Sequence, residues 1–280
     1  MQYGPGVKVL TAALVVVGAL VAVGTLVDLT VRGGRGLRAI YERYPGRRRR
    51  LYRSLARLAP GVQIGYFEQL LGVAVFKNTG DATDEFVFVH RDAYVQAVAT
   101  KDGRVEFFAV TARTPRFRPP IWGRTVYWSL DLTSAGYHLG RFAFDQLPMA
   151  QRPDGVRAYI GARRFQYVEA YYFGNPGLYQ TYLLAMNDAG DMKFPELDLL
   201  ALFPGPETSL GRLGEPGPET EGEMENFLGR PDVAAFRRQA TPNTYAVLGP
   251  QADARAALPT WIGPNLDQVR TLLDEGPTRA

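Results

Sequence analysis

The chain has 280 residues, room for one large domain or two small ones, and its content of 46% hydrophobic and 12% aromatic residues excludes a disordered chain. Cysteine is absent, which excludes a disulfide framework, a zinc–thiolate site, an iron–sulfur cluster and a thiol nucleophile together. The net charge of +4 is unevenly placed: residues 32–57 hold ten arginines against one acid, Glu42, and Lys8 cancels Asp28 in residues 1–31, so residues 58–280 carry −5. An acidic body without a basic stripe argues against nucleic-acid binding. Lysine is scarce, 4 against 28 arginines, so the cluster reads as positive charge rather than as guanidinium-specific recognition.

Residues 9–27 contain no charge over nineteen positions. As a helix they span about 28 Å, close to the hydrocarbon thickness of a bilayer. In lipid every backbone group must be paired internally, so the stretch is expected to be a transmembrane helix despite its many valines. A cleaved signal peptide would need a small-x-small site, and Gly24-Thr25-Leu26-Val27 offers none. Only Lys8 and the α-amino group precede the span, whereas ten arginines follow it. The expected orientation is therefore single-pass in the cell membrane, N-terminus outside and body in the cytoplasm.

Behind the anchor, residues 32–60 read as two basic amphipathic helices separated by Pro45-Gly46. Leu37, Ile40, Tyr41 and Tyr44 form one stripe, and Leu51, Leu55 and Leu58 form the other. Arg47, Arg48, Arg49, Arg50, Arg53 and Arg57 are the candidate membrane-surface residues, each adding about 1 kcal/mol near anionic headgroups. Alternatively the leucines pack on the body and the arginines serve as the topology signal alone.

The body is expected over residues 61–202 as an α+β fold. A helix over 62–71 ends at Gly72 and leads into strands over 85–90, 93–100 and 104–112, the last two joined by Lys101-Asp102-Gly103. The middle and third strands are apolar on both faces, which predicts a sheet covered on both sides. Leu139-Gly140-Arg141-Phe142-Ala143-Phe144 echoes Leu71-Gly72-Val73-Ala74-Val75-Phe76, and suggests a loose internal duplication. A hairpin is expected from 165–173 and 178–186 around Gly174-Asn175-Pro176-Gly177. Residues 203–225, rich in Pro, Gly and Glu, read as a linker or exposed loop. Residues 226–280 read as a C-terminal helix, strand and helix over 231–240, 243–248 and 264–275.

Catalytic motifs are missing: no G-x-x-x-x-G-K-[ST], G-x-S-x-G or H-E-x-x-H occurs. His90 and His138 have no histidine at ligand spacing. Asp188 and Asp191 in NDAGD resemble a calcium loop, but the glycine and the distal glutamate fall in the wrong places, and the segment reads as a turn. No cofactor or metal is expected. One constellation carries possible chemistry. If a four-residue loop closes the hairpin, Glu169 faces Tyr182 and Tyr171 faces Gln180, and one face carries Tyr167, Glu169, Tyr171, Phe173 and Tyr182. That face is either a candidate binding platform, since tyrosine offers stiff contact area with a polar tip, or a core face whose Glu169 is satisfied by Tyr182, Arg163 or Arg164. Aromatic strand residues more usually pack.

The motifs YFEQLLG-x-x-x-F at 66–76, DAYVQAV-x-x-x-DG-x-V-x-FF-x-VT at 92–111 and YYFGNPG-x-YQTY at 171–182 resemble an uncharacterised bacterial family with an ETEC-type domain behind one membrane span. The resemblance covers residues 62–190 and implies the anchored architecture without an activity. The helix–LG–meander order is more loosely similar to the small lipoproteins of outer-membrane protein assembly, which are exported, whereas the arginines here favour an inward body. The reading is a membrane-anchored intracellular binding or sensor module, non-enzymatic, meeting an unknown protein or small ligand. The competing reading is a membrane-tethered enzyme whose acidic site assembles only in the fold.

Overall fold

The computed structural model describes residues 45–121, 137–147, 152–160, 165–173, 180–191, 221–249, 261–265 and 269. The chain divides into two compact units, Met1–Arg53 and Ser54–Ala280. No helix among the described residues is long and apolar enough to cross a membrane. The stretch at 9–27, the first basic helix and residues 203–220 of the expected linker lie outside them.

The second basic helix is present as α1, Pro45–Leu55, opening on the proline that suits a first helical turn. Arg47, Arg49, Arg50 and Arg53 are exposed along it, and Arg48 is half-buried. After α1, Arg57 lies over the Tyr66 ring at 5.9 Å, and Leu55 and Leu58 are buried. α2 spans Ile64–Leu71 and stops at Gly72.

Among the described residues the body is α+β: one antiparallel sheet of eight strands with short helices on it. The strands are β1 Phe76–Thr79, β2 Thr83–Val89, β3 Ala93–Thr100, β4 Val105–Ala112, β5 Gly155–Ile160, β6 Phe165–Phe173, β7 Gln180–Asn187 and β8 Thr244–Leu248. Their order is β1-β2-β3-β4-β8-β7-β6-β5. Two meanders thus meet across β8, which pairs with β4 on one side and β7 on the other. The three expected strands of the first meander are present, and β1, too polar at Lys77-Asn78-Thr79 to be read from pattern, adds an edge. Lys101-Asp102-Gly103 forms the turn between β3 and β4, with Gly103 at φ +83°. Its carbonyl accepts the Ile64 N–H at 2.8 Å, so the hairpin tip also starts α2.

The two LG-x-x-x-F segments enter different elements. The first leads into β1 and the second into a 3-10 helix, Phe144–Gln146. Helix α3, Glu221–Gly229, begins inside the stretch expected to be a linker, and α4, Pro231–Gln239, follows it with Pro231 in its first turn. Because β8 lies in mid-sheet, the C-terminal segment belongs to the same unit as the rest of the body.

Both faces of the sheet are covered. On one, Phe67 of α2 packs on Phe88 and Phe108 at 6.4 and 5.7 Å, and Phe236 of α4 packs on Tyr167 at 4.7 Å. On the other, Val98, Phe107, Val168, Leu183 and Leu248 form an apolar cluster closed by Ile262. Buried polar side chains hold that closing strap by its backbone. Gln96 accepts the Gly263 N–H at 2.8 Å and donates to the Trp261 carbonyl at 3.1 Å. Gln166 accepts the Ile262 N–H at 3.1 Å and donates to its carbonyl at 2.7 Å, and Asn187 donates to the same oxygen at 2.6 Å. Side-chain amides here complete the ladder that a neighbouring strand would supply, leaving these backbone groups paired in a buried position.

Candidate functional site

The β6–β7 hairpin forms, but its register corrects the sequence expectation by two residues. Tyr171 pairs with Tyr182, Glu169 with Leu184, Tyr167 with Met186 and Phe173 with Gln180. Glu169 therefore does not face Tyr182, and the expected loop at Gly174-Asn175-Pro176-Gly177 lies outside the described residues. A hydrophobic pattern of period two fixes the parity of a register and is blind to an even shift. The pairing of Tyr182 with Val247 ties β7 to β8 as well, a constraint absent from the hairpin's own sequence.

Since the shift is even, Tyr167, Glu169, Tyr171 and Tyr182 still share a face. That face is the helix-covered one. Tyr167, Glu169 and Tyr171 are 0% exposed and Tyr182 is 4% exposed. Phe173 ends the strand. The Tyr167 hydroxyl donates to Glu169 Oε1 at 2.5 Å, and the Tyr171 hydroxyl donates to Oε2. Strand geometry explains this: residues two before and two after Glu169 stand on its own face and flank its carboxylate.

The third partner comes from α4. Arg237 Nε donates to Glu169 Oε1 at 2.7 Å, and Nη2 reaches Oε2 at 3.3 Å and the Phe144 carbonyl at 3.4 Å. Arg163 and Arg164, the cations proposed from sequence, lie outside the described residues. Arg237 was the residue missed, although a signal existed. Val233 and Phe236 are the buried side chains of α4, and position 237, four after Val233 and next to Phe236, falls on that same stripe.

The electrostatics follow from burial beside a charge. Burial first, and then the negative charge of Glu169, push the Tyr167 and Tyr171 hydroxyls well above the ordinary tyrosine range. For Arg237, burial opposes the charge, but the attraction and hydrogen bonds of Glu169 outweigh it and raise the guanidinium further. The cluster is thus a carboxylate held by a guanidinium and two protonated phenols, a satisfied buried network.

Arg237 also borders a cleft of about 340 Å³. Phe144, Leu147 and Leu228 give it apolar walls, and Asp145, Arg152 and Glu225 bring charge to it. Arg152 pairs with Glu225 at 2.8 Å. The 3-10 helix supplies Phe144 and Asp145, α3 supplies Glu225 and Leu228, and α4 supplies Arg237. No three His, Cys, Asp or Glu side chains among the described residues stand together as a metal site. The sequence-derived NDAGD turn is used structurally: Asp188 accepts the Phe165 N–H at 2.9 Å, and Asp191 pairs with Arg118 at 3.0 Å.

Comparison with family models, with curated proteins and with solved structures finds no match to the chain.

Proposed function

We propose that this chain is a membrane-anchored intracellular binding or sensor module, non-enzymatic, whose ligand seat is the cleft beside Arg237. The observation that carries the binding part is that a wholly buried carboxylate, Glu169, fixes an arginine that borders a cleft. Glu169 itself is enclosed by Tyr167, Tyr171 and Arg237, so it positions a group rather than meeting a ligand. The anchored part rests on the uncharged stretch at 9–27, expected to be a single transmembrane helix with the N-terminus outside. It rests also on the exposed arginines of α1, which suit anionic headgroups. The echo of the LG segments as a loose duplication and the resemblance to the ETEC-type family belong to the same proposal. The acidic balance of residues 58–280 favours partners other than nucleic acid.

Reporter fusions test the anchoring. An alkaline phosphatase at the C-terminus is expected to be inactive and a cytoplasmic reporter active; an active phosphatase overturns the orientation. Replacing Arg47, Arg48, Arg49 and Arg50 by serine leaves six arginines in the cluster and keeps the topology.

One observation favours the enzymatic reading. Asp145 and Glu225, far apart in sequence, border the same cleft. Turnover of an ester or glycoside panel that disappears in both Asp145→Asn and Glu225→Gln would establish it. The pairing of Glu225 with Arg152 instead favours binding.

A further inference from the structure

At the cleft beside α4, Arg237 is held by a wholly buried carboxylate, Glu169. Arg237 has five N–H donors in a rigid fork. Nε and Nη2 are held by Glu169 and the Phe144 carbonyl, and the Tyr171 hydroxyl also stands in hydrogen-bonding reach of the guanidinium, whereas no hydrogen bond from Nη1 is seen among the described residues. Its side chain is 16% exposed, while the carboxylate that grips it is 0% exposed. A buried charged pair is seldom the most stable way to fill such a space, because apolar residues of similar volume do as well or better. Here the pair is reinforced by two tyrosine hydroxyls on the same carboxylate. The result is a guanidinium with one edge locked and one edge unused, and a preorganised donor of this kind is what a binding site requires.

The second group is Asp145, which borders the same cleft from the 3-10 helix and makes no hydrogen bond or ion pair among the described residues. Charge sets the class of ligand. Around the cleft and directly beneath it stand two cations, Arg152 and Arg237, and three carboxylates, Asp145, Glu225 and Glu169. A multiply charged anion would meet more negative than positive charge, and a simple amine would leave the Nη1 donors unused. A molecule carrying both a carboxylate and an ammonium satisfies both ends. Leu147 and Leu228 provide an apolar wall for an aliphatic side chain, and the volume of about 340 Å³ lies within the range of small-molecule sites.

We propose that the cleft binds a small zwitterion of the amino-acid type, its carboxylate on Arg237 Nη1, its ammonium on Asp145 and its apolar side chain against Leu228. This rests on the binding reading above and names its ligand class.

The test uses the full chain in detergent or lipid discs, with leucine and three probes: 4-methylpentanoate, which lacks the amine; 3-methylbutylamine, which lacks the carboxylate; and inorganic phosphate. Titration followed by calorimetry or by tryptophan fluorescence is expected to give leucine at least about tenfold tighter binding than any other probe, equivalent to about 1.4 kcal/mol. Asp145→Asn, on an exposed side chain, is expected to lower leucine to the level of 4-methylpentanoate. Leu228→Trp, which fills the cleft, is expected to abolish binding while circular dichroism stays unchanged. Equal affinity for leucine and its single-charge analogues overturns the proposal, as does leucine binding that neither variant changes. Preference for phosphate that Leu228→Trp removes overturns the ligand class but leaves the cleft as a binding seat. Failure of all four probes to bind overturns the proposal, while the anchored architecture is decided separately by the reporter fusions.

Discussion

Glu169 shows how much depends on one side chain. Its carboxylate is wholly buried and is held by Tyr167, Tyr171 and Arg237. Removing Arg237 leaves a buried charge without its counter-ion, so Arg237→Ala is expected to lose about 3–5 kcal/mol in urea unfolding. The apolar pair Glu169→Leu with Arg237→Met removes both charges and is expected to recover most of that loss. A single variant within about 1 kcal/mol of the parent would mean that the pair is not structural. The phenols give a pH dependence. Both are raised above the unfolded value of about 10, so the folded state keeps its protons where the unfolded chain loses them. Stability from this source is present below about pH 10 and is lost as pH rises above it. Denaturation midpoints taken across that range check the sign, and a midpoint that rises above pH 10 contradicts it.

Among the elements, the β3–β4 hairpin was legible because Asp102-Gly103 sits between strand-forming runs. Gly103 adopts φ +83°, as its turn position requires. Gly103→Val forces a β-branched residue into that region and is expected to cost about 1 kcal/mol or more by thermal unfolding. The strap at 261–263 carried no such local signal. Gly263 has φ +88°, and a Cβ placed there would stand 2.5 Å from Thr111 Oγ1 and 2.8 Å from Asn187 Nδ2. Gly263→Ala is therefore expected to release the strap from Gln96 and Gln166. Amide hydrogen exchange at Ile262 and Gly263 measures this directly. Protection unchanged from the parent would show that the amide clamp does not hold the segment. Strand β1 was missed for another reason: its side chains are mostly exposed, and an edge strand is defined by backbone pairing with β2 rather than by an apolar pattern.

For the whole molecule, the central fact is that β8, the last strand among the described residues, lies in the middle of the sheet. β8 is five residues long, all of them buried, and both meanders pair with it. A chain ending before residue 244 is expected to lose cooperative unfolding and become sensitive to protease throughout the body, because two sheet edges are then left open. Resistance equal to that of the full chain would mean the meanders fold independently. The sequence alone determined the charge asymmetry, the α+β character, the β3–β4 hairpin, the end of α2 at Gly72 and the face shared by Tyr167, Glu169, Tyr171 and Tyr182. Those properties follow from composition, turn chemistry and periodicity within one stretch of chain. Tertiary structure decided the hairpin register, the burial of that face, the choice of Arg237 as partner and the cleft beside it. Each of these depends on contacts between segments distant in sequence, and a period-two pattern cannot count register beyond its parity or name the helix that will cover it.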